Sequence, residues 1–148
     1  MDYYYFMDKA IEEAKKALTI GEVPVGAVVV KNGEIIGRGH NLKESTNMPT
    51  AHAEIIAIEA AAKHLNNWRL NGCTLYITLE PCPMCSGAIL QSRIEEVIFG
   101  AWDLKWGGAG SITDVLKPNL FNHTVKVTGG IKETQCKELL ADFFALKR

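Results

Sequence analysis

The sequence alternates between segments with strand character and segments with helical character, and this alternation limits the chain to a few architectures. Apolar, β-branched runs such as VGAVVVK (25–31) and CTLYITLE (73–80) are separated by stretches whose apolar residues recur at helical spacing. Helices and strands that alternate in this way form a central sheet with helices packed on both of its faces. The sequence therefore predicts an α/β fold.

The turn signals add detail to this prediction. Asn32-Gly33 joins two apolar runs, which is typical of a β-hairpin closed by a type I′ turn. Thr50 is the expected N-cap of the helix that begins near His52. The strand–helix–strand unit from Leu75 to Phe99 is expected to be parallel. In chain order, the predicted elements are a helix at 6–18, strands at 25–31 and 34–40, a loop at 41–50, a helix at 52–66, a strand at 73–80, a helix at 84–91, a strand at 95–101, a glycine-rich loop at 102–111 followed by a short helix, a strand at 123–129 and a helix at 132–146.

Together these elements predict a three-layer α/β/α sandwich with a mixed, five-stranded central sheet. The 148 residues show no linker or repeat, so we expect one domain over residues 1–148. No apolar run approaches the roughly 20 residues of a membrane span, and the first residues do not resemble a secretory signal. We therefore expect a cytoplasmic protein with no membrane association. The net charge of −1 does not by itself indicate nucleic-acid binding, although it leaves room for a local basic patch.

Three candidate metal ligands stand at the predicted starts of two helices. His52 begins one helix, and Cys82 and Cys85 lie three residues apart after Pro81, on one face of the first turn of another. The positive end of a helix favours a thiolate over a thiol. One imidazole and two thiolates make three protein ligands, which is the number in a catalytic zinc site, where the fourth position is left to water. The other two cysteines are isolated, and we expect them to be ordinary buried residues.

Glu54 lies two residues after His52 and is the candidate proton carrier of this site. Zinc lowers the pKa of its bound water to about 7, and a nearby carboxylate that does not bind the metal can then move protons. Each motif alone has a simpler interpretation: His-x-Glu as surface or core residues, and Cys-x-x-Cys as a redox pair or a structural zinc site. The combination H-x-E…P-C-x-x-C is the signature of zinc-dependent nucleobase deaminases.

The sequence resembles the bacterial tRNA-specific adenosine deaminases of the cytidine/deoxycytidylate deaminase superfamily, in order and over nearly its whole length. The resemblance is carried by GEVPVGAVVV, PTAHAEIIAI, NWRLNGCTLYITLEPCPMCSGAILQSRI, FGAWDLKWGGAGS, FNHTVKV and LLADFFALKR. It implies a cytidine-deaminase-like fold, a homodimer and one zinc ion per subunit. The implied reaction is the hydrolytic conversion of adenosine to inosine at the wobble position (34) of a tRNA anticodon loop, in an arginine tRNA. Zinc-bound hydroxide would attack C6 of adenine, and ammonia would be released.

The resemblance also assigns roles to individual residues. His52, Cys82 and Cys85 would hold zinc, and Glu54 would be the catalytic proton shuttle. The implied substrate contacts are Asn41, Arg69, Arg93, Asp103, Lys105, Asn122, Phe144 and Arg148. For Arg69 and Arg93 the alternative is a capping or salt-bridge role at helix ends, and for Phe144 it is core packing. Trp102 and Trp106 depart from the family pattern, and they could stack on RNA bases or pack against a second subunit.

Two other functions share parts of this pattern. A deaminase of a free base or nucleotide, such as guanine, would use the same zinc ligands and Glu54 but would differ at the pocket wall and the C-terminal segment. A non-catalytic, zinc-stabilised binding module would keep the metal ligands and need no proton carrier. Tests on an anticodon stem-loop and on Glu54→Gln separate the three functions.

Overall fold

The computed structural model describes residues 2–146. Its five helices and five strands follow one another as α1 (Tyr3–Thr19), β1 (Gly26–Lys31), β2 (Glu34–His40), α2 (Lys43–Thr46), α3 (Ala53–Leu65), β3 (Cys73–Leu79), α4 (Pro83–Gln91), β4 (Glu96–Ala101), β5 (Lys126–Thr128) and α5 (Glu133–Leu146).

The five strands form one mixed sheet in the order β2-β1-β3-β4-β5. β1 pairs antiparallel with β2 and with β3, whereas β4 runs parallel to β3 and β5 runs parallel to β4. The hairpin turns at Asn32 and Gly33, whose φ angles of 52° and 76° match the type I′ turn that the dipeptide predicts. The predicted α/β fold with a mixed, five-stranded sheet is confirmed.

Helices pack on both faces of the sheet, and each face has its own core. On one face α1 and α5 cover side chains such as Val28, Tyr76 and Ile98. On the other face α3 and α4 cover a larger cluster that includes Leu75 and Phe99. Alternate residues of each strand point to opposite faces, which is why neighbouring positions such as Leu75 and Tyr76 belong to different cores.

Glycines let α3 approach the edge strand β2 very closely. A Cβ atom added at Gly39 would lie 2.5 Å from the carbonyl oxygen of Ala53 and 2.7 Å from the backbone nitrogen of Ala57. At Gly37 it would lie 2.8 Å from the nitrogen of Ala61. The helix contributes alanines at this contact, so backbone meets backbone. This contact fixes the height of the first turn of α3 above the sheet.

Three sequence predictions about local structure are wrong. The 41–50 segment is not entirely loop, because Lys43–Thr46 forms the short helix α2. Thr50 is not the N-cap of α3; that position is held by His52, which has extended backbone angles. No helix follows the glycine-rich loop in the described chain, where residues 111–125 form turns, bends, irregular segments and one isolated bridge at Asp114. The strand predicted at 123–129 is present but is only three residues long.

Within residues 2–146, none of the helices combines the length and the hydropathy that crossing a membrane requires.

Candidate active site

The first turns of α3 and α4 bring the candidate metal ligands together. His52 is the N-cap of α3 and Cys82 is the N-cap of α4, and neither side chain makes a capping hydrogen bond to its own helix. Pro83 occupies the first turn of α4, where its fixed φ suits a helix start and its missing N–H costs nothing. The imidazole and the thiol are therefore directed away from their own helices and toward each other.

The three donor atoms form a compact group. Nδ1 of His52 lies 3.7 Å from Sγ of Cys82 and 3.5 Å from Sγ of Cys85. All three donor atoms lie within 4.8 Å of one another, and this is the one group of its kind in the described part of the chain. Cys85 is buried, whereas His52 and Cys82 are partly exposed to the adjoining cavity. The sequence prediction that these three residues converge agrees with this geometry.

The protonation behaviour of the group suits a cation. A hydrogen bond from the Cys85 thiol, assisted by His52, lowers the pKa of Cys82 to about 4 despite partial burial, so Cys82 is a thiolate at neutral pH. The same hydrogen bond, together with burial, raises the pKa of Cys85. The hydrogen bond to Cys82 also raises the pKa of His52. The nitrogen and the two sulfurs share protons that a bound cation would displace. One nitrogen and two sulfurs are donor atoms that zinc prefers.

Glu54 lies in the first turn of α3 beside these donors. Its side chain is buried, with only 5% of its surface exposed, and it also lines the cavity described below. Burial raises the pKa of its carboxyl group to about 7; the charge of Cys82 adds to the increase, whereas that of His52 opposes it. A carboxyl group that titrates near neutral pH can both accept and release a proton under physiological conditions.

A cavity of about 530 Å³ opens in front of the donor group. Its size lies within the range of small-molecule sites. Apolar side chains make up much of the wall, together with Asn41, Asp103 and the site residues. The full lining comprises Val23, Val25, Asn41, Lys43, Pro49, His52, Ala53, Glu54, Leu79, Glu80, Cys82, Pro83, Met84, Asp103 and Trp106.

The structure brings Asn41 and Asp103, two of the predicted substrate contacts, into this cavity. The Oδ1 atom of Asn41 accepts a hydrogen bond of 3.1 Å from the backbone N–H of Lys43, so the amide N–H groups are the donors that it can offer a ligand. Oδ1 of Asp103 accepts the backbone N–H groups of Lys105 and Trp106, each at 3.0 Å. Asp103 thereby shapes the loop that bears it.

The other predicted RNA contacts lie outside this cavity. The exposed Arg69 stacks on Trp68, with 4.4 Å between the guanidinium carbon and the ring centroid. Arg93 donates a hydrogen bond of 2.8 Å to the carbonyl of Leu90, near the end of α4, which is the capping role considered as its alternative.

Arg93 and Asn122 both line a second, smaller cavity of about 200 Å³. Lys105 is exposed on the glycine-rich loop. Phe144 is 52% exposed on α5, so the core-packing alternative for it is wrong; the neighbouring Phe143 is the buried ring. Arg148 lies outside the described residues.

Two buried carboxylates near the site were not found by the sequence analysis. Glu22 accepts backbone N–H bonds from Glu44 and Ser45 and so holds α2 beside the cavity. Glu80 accepts hydrogen bonds from the loop that follows β4. The one signal for Glu80 in the sequence is an acidic residue at the end of an apolar strand, directly before Pro81.

Comparison with known proteins identifies the family. The chain is 52% identical over 139 residues to the tRNA-specific adenosine deaminase of Bacillus subtilis, an alignment that covers 94% of this chain and 86% of the relative. It belongs to the tRNA-specific adenosine deaminases. The family model of the MafB19-like deaminases matches residues 1–148 as well, so the chain is a deaminase by sequence over its full length.

Solved structures agree with this membership. A chain from a study of A-to-I editing by tRNA:A34 deaminases superimposes with a TM-score of 0.88 at 40% identity, covering 92% of this chain and 99% of that one. The guanine deaminase of Bacillus subtilis is also similar, at 33% identity and a TM-score of 0.68, covering 99% of this chain and 94% of that one. Both the identity and the structural agreement are higher for the tRNA:A34 deaminase.

Proposed function

We propose that this adenosine deaminase acts on the wobble adenosine, position 34, of a tRNA anticodon loop and converts it to inosine, with an arginine tRNA as its substrate. In this reaction adenosine and water give inosine and ammonia. The observation that carries the proposal is the buried carboxyl group of Glu54 beside three candidate metal donors in a cavity of about 530 Å³. The 52% identity to a tRNA-specific adenosine deaminase supports the choice of substrate.

The proposed cofactor is one zinc ion per subunit, held by His52, Cys82 and Cys85. When bound, zinc would supply a nucleophile at neutral pH by lowering the pKa of a coordinated water to about 7. Glu54 would carry two protons in turn on the cavity side of the donors, the first to the ring of the reacting base and the second to its departing amino group. Its burial keeps bulk water from competing for these protons.

The proposed substrate contacts fall into two groups. Asn41 would hydrogen-bond the target base within the cavity, and Asp103 would contact the RNA at its wall. The remaining proposed contacts lie on the surface around it and would bind the anticodon stem-loop: Arg69, Arg93, Lys105, Asn122, Phe144 and Arg148. We further propose that residues 1–148 form one deaminase domain, which acts in the cytoplasm as a homodimer.

The test is substrate choice by the zinc-loaded enzyme. An arginine tRNA anticodon stem-loop is incubated with the protein, and inosine is quantified after nuclease digestion. Free adenosine, cytidine and guanine are assayed in parallel by ammonia release. We expect turnover of the stem-loop and none of the free compounds. Turnover of guanine without the stem-loop would instead support the second candidate, which the 33% identity to a guanine deaminase favours.

Glu54→Gln is the matched variant for this test, because the substitution keeps the size of the side chain and removes its proton-carrying group. We expect inosine formation to fall at least ~100-fold, the lower range for a general acid–base group. Zinc content should stay near one ion per chain. Unchanged activity in the variant would contradict the proposed role of Glu54. A zinc-bound protein that binds the stem-loop without any turnover would indicate a binding module.

A further inference from the structure

Glu80 is a buried carboxylate to which neither the sequence nor the proposed mechanism assigns a role. It follows the last residue of β3 and precedes Pro81, its exposed fraction is 2%, and it lines the 530 Å³ cavity. A buried carboxylate is costly unless hydrogen-bond donors satisfy its oxygens. The residues that donate hydrogen bonds to Glu80 therefore identify the segment that it anchors.

The donors to Glu80 come from both ends of the 102–111 loop. The backbone N–H of Asp103 donates to Oε1 at 3.0 Å, and those of Ala109 and Ser111 donate to Oε2 at 3.0 Å each. The hydroxyl of Ser111 also donates to Oε1. An ionised carboxylate only accepts hydrogen bonds, so it matches this set of donors without conflict.

Close packing ties the middle of the same loop to the start of α4. A Cβ atom at Gly107 would lie 2.6 Å from either oxygen of Glu80, so the loop backbone contacts the carboxylate directly. The N–H of Gly108 donates to the carbonyl of Pro81 at 2.8 Å. The loop is therefore held against the segment that carries the metal ligand Cys82.

This loop carries two residues of the cavity wall, Asp103 and Trp106. The indole of Trp106 is 69% exposed at the mouth of the cavity, and exposed aromatic rings stack on unpaired bases. We propose that Glu80 is a positioning residue: it sets the 102–111 loop, and through it the wall of Asp103 and Trp106 that contacts RNA bases beside the target. The nature of this ligand rests on the function proposed above, whereas the anchoring of the loop does not.

Glu80→Gln tests this role, because its NH₂ group would face backbone N–H donors. We expect the KM for the anticodon stem-loop to rise roughly tenfold, as the loss of hydrogen bonds to a charged group predicts, while kcat stays within about twofold of wild type. Zinc content should not change. Ser111→Ala removes one donor and keeps the carboxylate, so a smaller rise of KM, about two- to threefold, is expected for this milder variant.

Glu13→Gln is the matched control. Glu13 is a comparably buried glutamate, 3% exposed, which pairs with Lys16 and His40 and does not line the cavity. Its substitution should lower the melting temperature and leave the KM unchanged. A rise of KM in both variants would assign the effect to general destabilisation and overturn the proposal.

Amide hydrogen exchange gives a readout that needs no catalysis. In Glu80→Gln, exchange at Asp103, Ala109 and Ser111 should become faster, whereas Glu13→Gln should not change it. If exchange at these amides is unchanged, the loop is held by other contacts and the proposal fails. Loss of zinc, or a fall in kcat at constant KM, would show that Glu80 acts on the metal site instead. If wild type does not deaminate the stem-loop, the proposed function fails, and the exchange result still decides the positioning role.

Discussion

Two thiols one helical turn apart have opposite protonation states. Cys82, at the N-cap of α4, is a partly exposed thiolate with a pKa of about 4, whereas the buried Cys85 has a raised pKa and donates a hydrogen bond to Cys82. A cation that displaces this shared proton would be bound by both sulfurs. Because each thiol depends on its partner, neither could be replaced without loss of the site.

We predict that Cys85→Ala loses the metal and stability together, because the ligands and the folded state are linked. At a zinc concentration about 1,000 times Kd, a bound ion contributes about 4 kcal/mol to the free energy of unfolding, and the variant forfeits this term. Metal analysis and denaturant unfolding measure both quantities. Cys73→Ala removes another buried thiol outside the donor group, so it should retain the zinc. A zinc-replete Cys85→Ala protein would contradict the prediction.

At the scale of elements, the position of α3 is set by its close contact with β2. The helix bears His52 at its N-cap and Glu54 in its first turn, and its backbone rests on Gly37 and Gly39 of the edge strand. A side chain at either glycine would lift the helix from the sheet. The packing of a strand that carries no catalytic group thus controls the distance between the imidazole and the thiols.

Gly39→Ala should therefore reduce stability and zinc affinity, since the new methyl group would meet the backbone of Ala53 and Ala57. Overpacking of this kind costs about 1–3 kcal/mol. Gly87→Ala, in α4, is the control: a Cβ there has nothing within 4 Å, and alanine favours a helix, so stability should be unchanged or higher by up to about 1 kcal/mol. Thermal unfolding and zinc titration compare the two variants. Equal behaviour of both would contradict this account of the contact.

At the scale of the whole molecule, the donor group lies where two helices from different parts of the chain meet. α3 follows the β-hairpin, and α4 connects the parallel strands β3 and β4. Their first turns meet at the donors, while the rest of each helix packs on the same core. A bound ion would consequently join the hairpin half of the sheet to its parallel half.

Removal of the metal is expected to destabilise the entire domain rather than the site alone. After treatment with a chelator, the melting temperature should fall by several degrees, because the binding free energy of the ion is lost from the folded state. Added zinc should restore the transition, and magnesium, which prefers oxygen ligands, should not. Calorimetry measures these changes. A melting temperature that is insensitive to the chelator, with zinc demonstrably removed, would contradict the prediction.

Short sequence patterns, such as turn dipeptides and helix starts, predicted much of this fold and site. The φ angles of Asn32 and Gly33 follow from their sequence, and the predicted starts of two helices placed His52, Cys82 and Cys85. Distant contacts were not predictable in this way. The helix α2 depends on N–H bonds to Glu22, more than 20 residues earlier, and β5 pairs only with the first residues of β4.

The carboxylate of Glu80 accepts hydrogen bonds from three backbone N–H groups of the loop beside the cavity and from one hydroxyl group. It makes no hydrogen bond to the side chains of residues 104–106. Leu104, Lys105 and Trp106 can thus be exchanged for other residues while the path of the backbone is retained. The glycines at 107 and 108 are fixed, since a Cβ atom would collide with the carboxylate of Glu80 at the first position and with the backbone of Cys82 and Pro83 at the second. For the RNA contact proposed above, new base preferences could therefore arise by substitution within this loop alone, without any change in His52, Cys82 or Cys85.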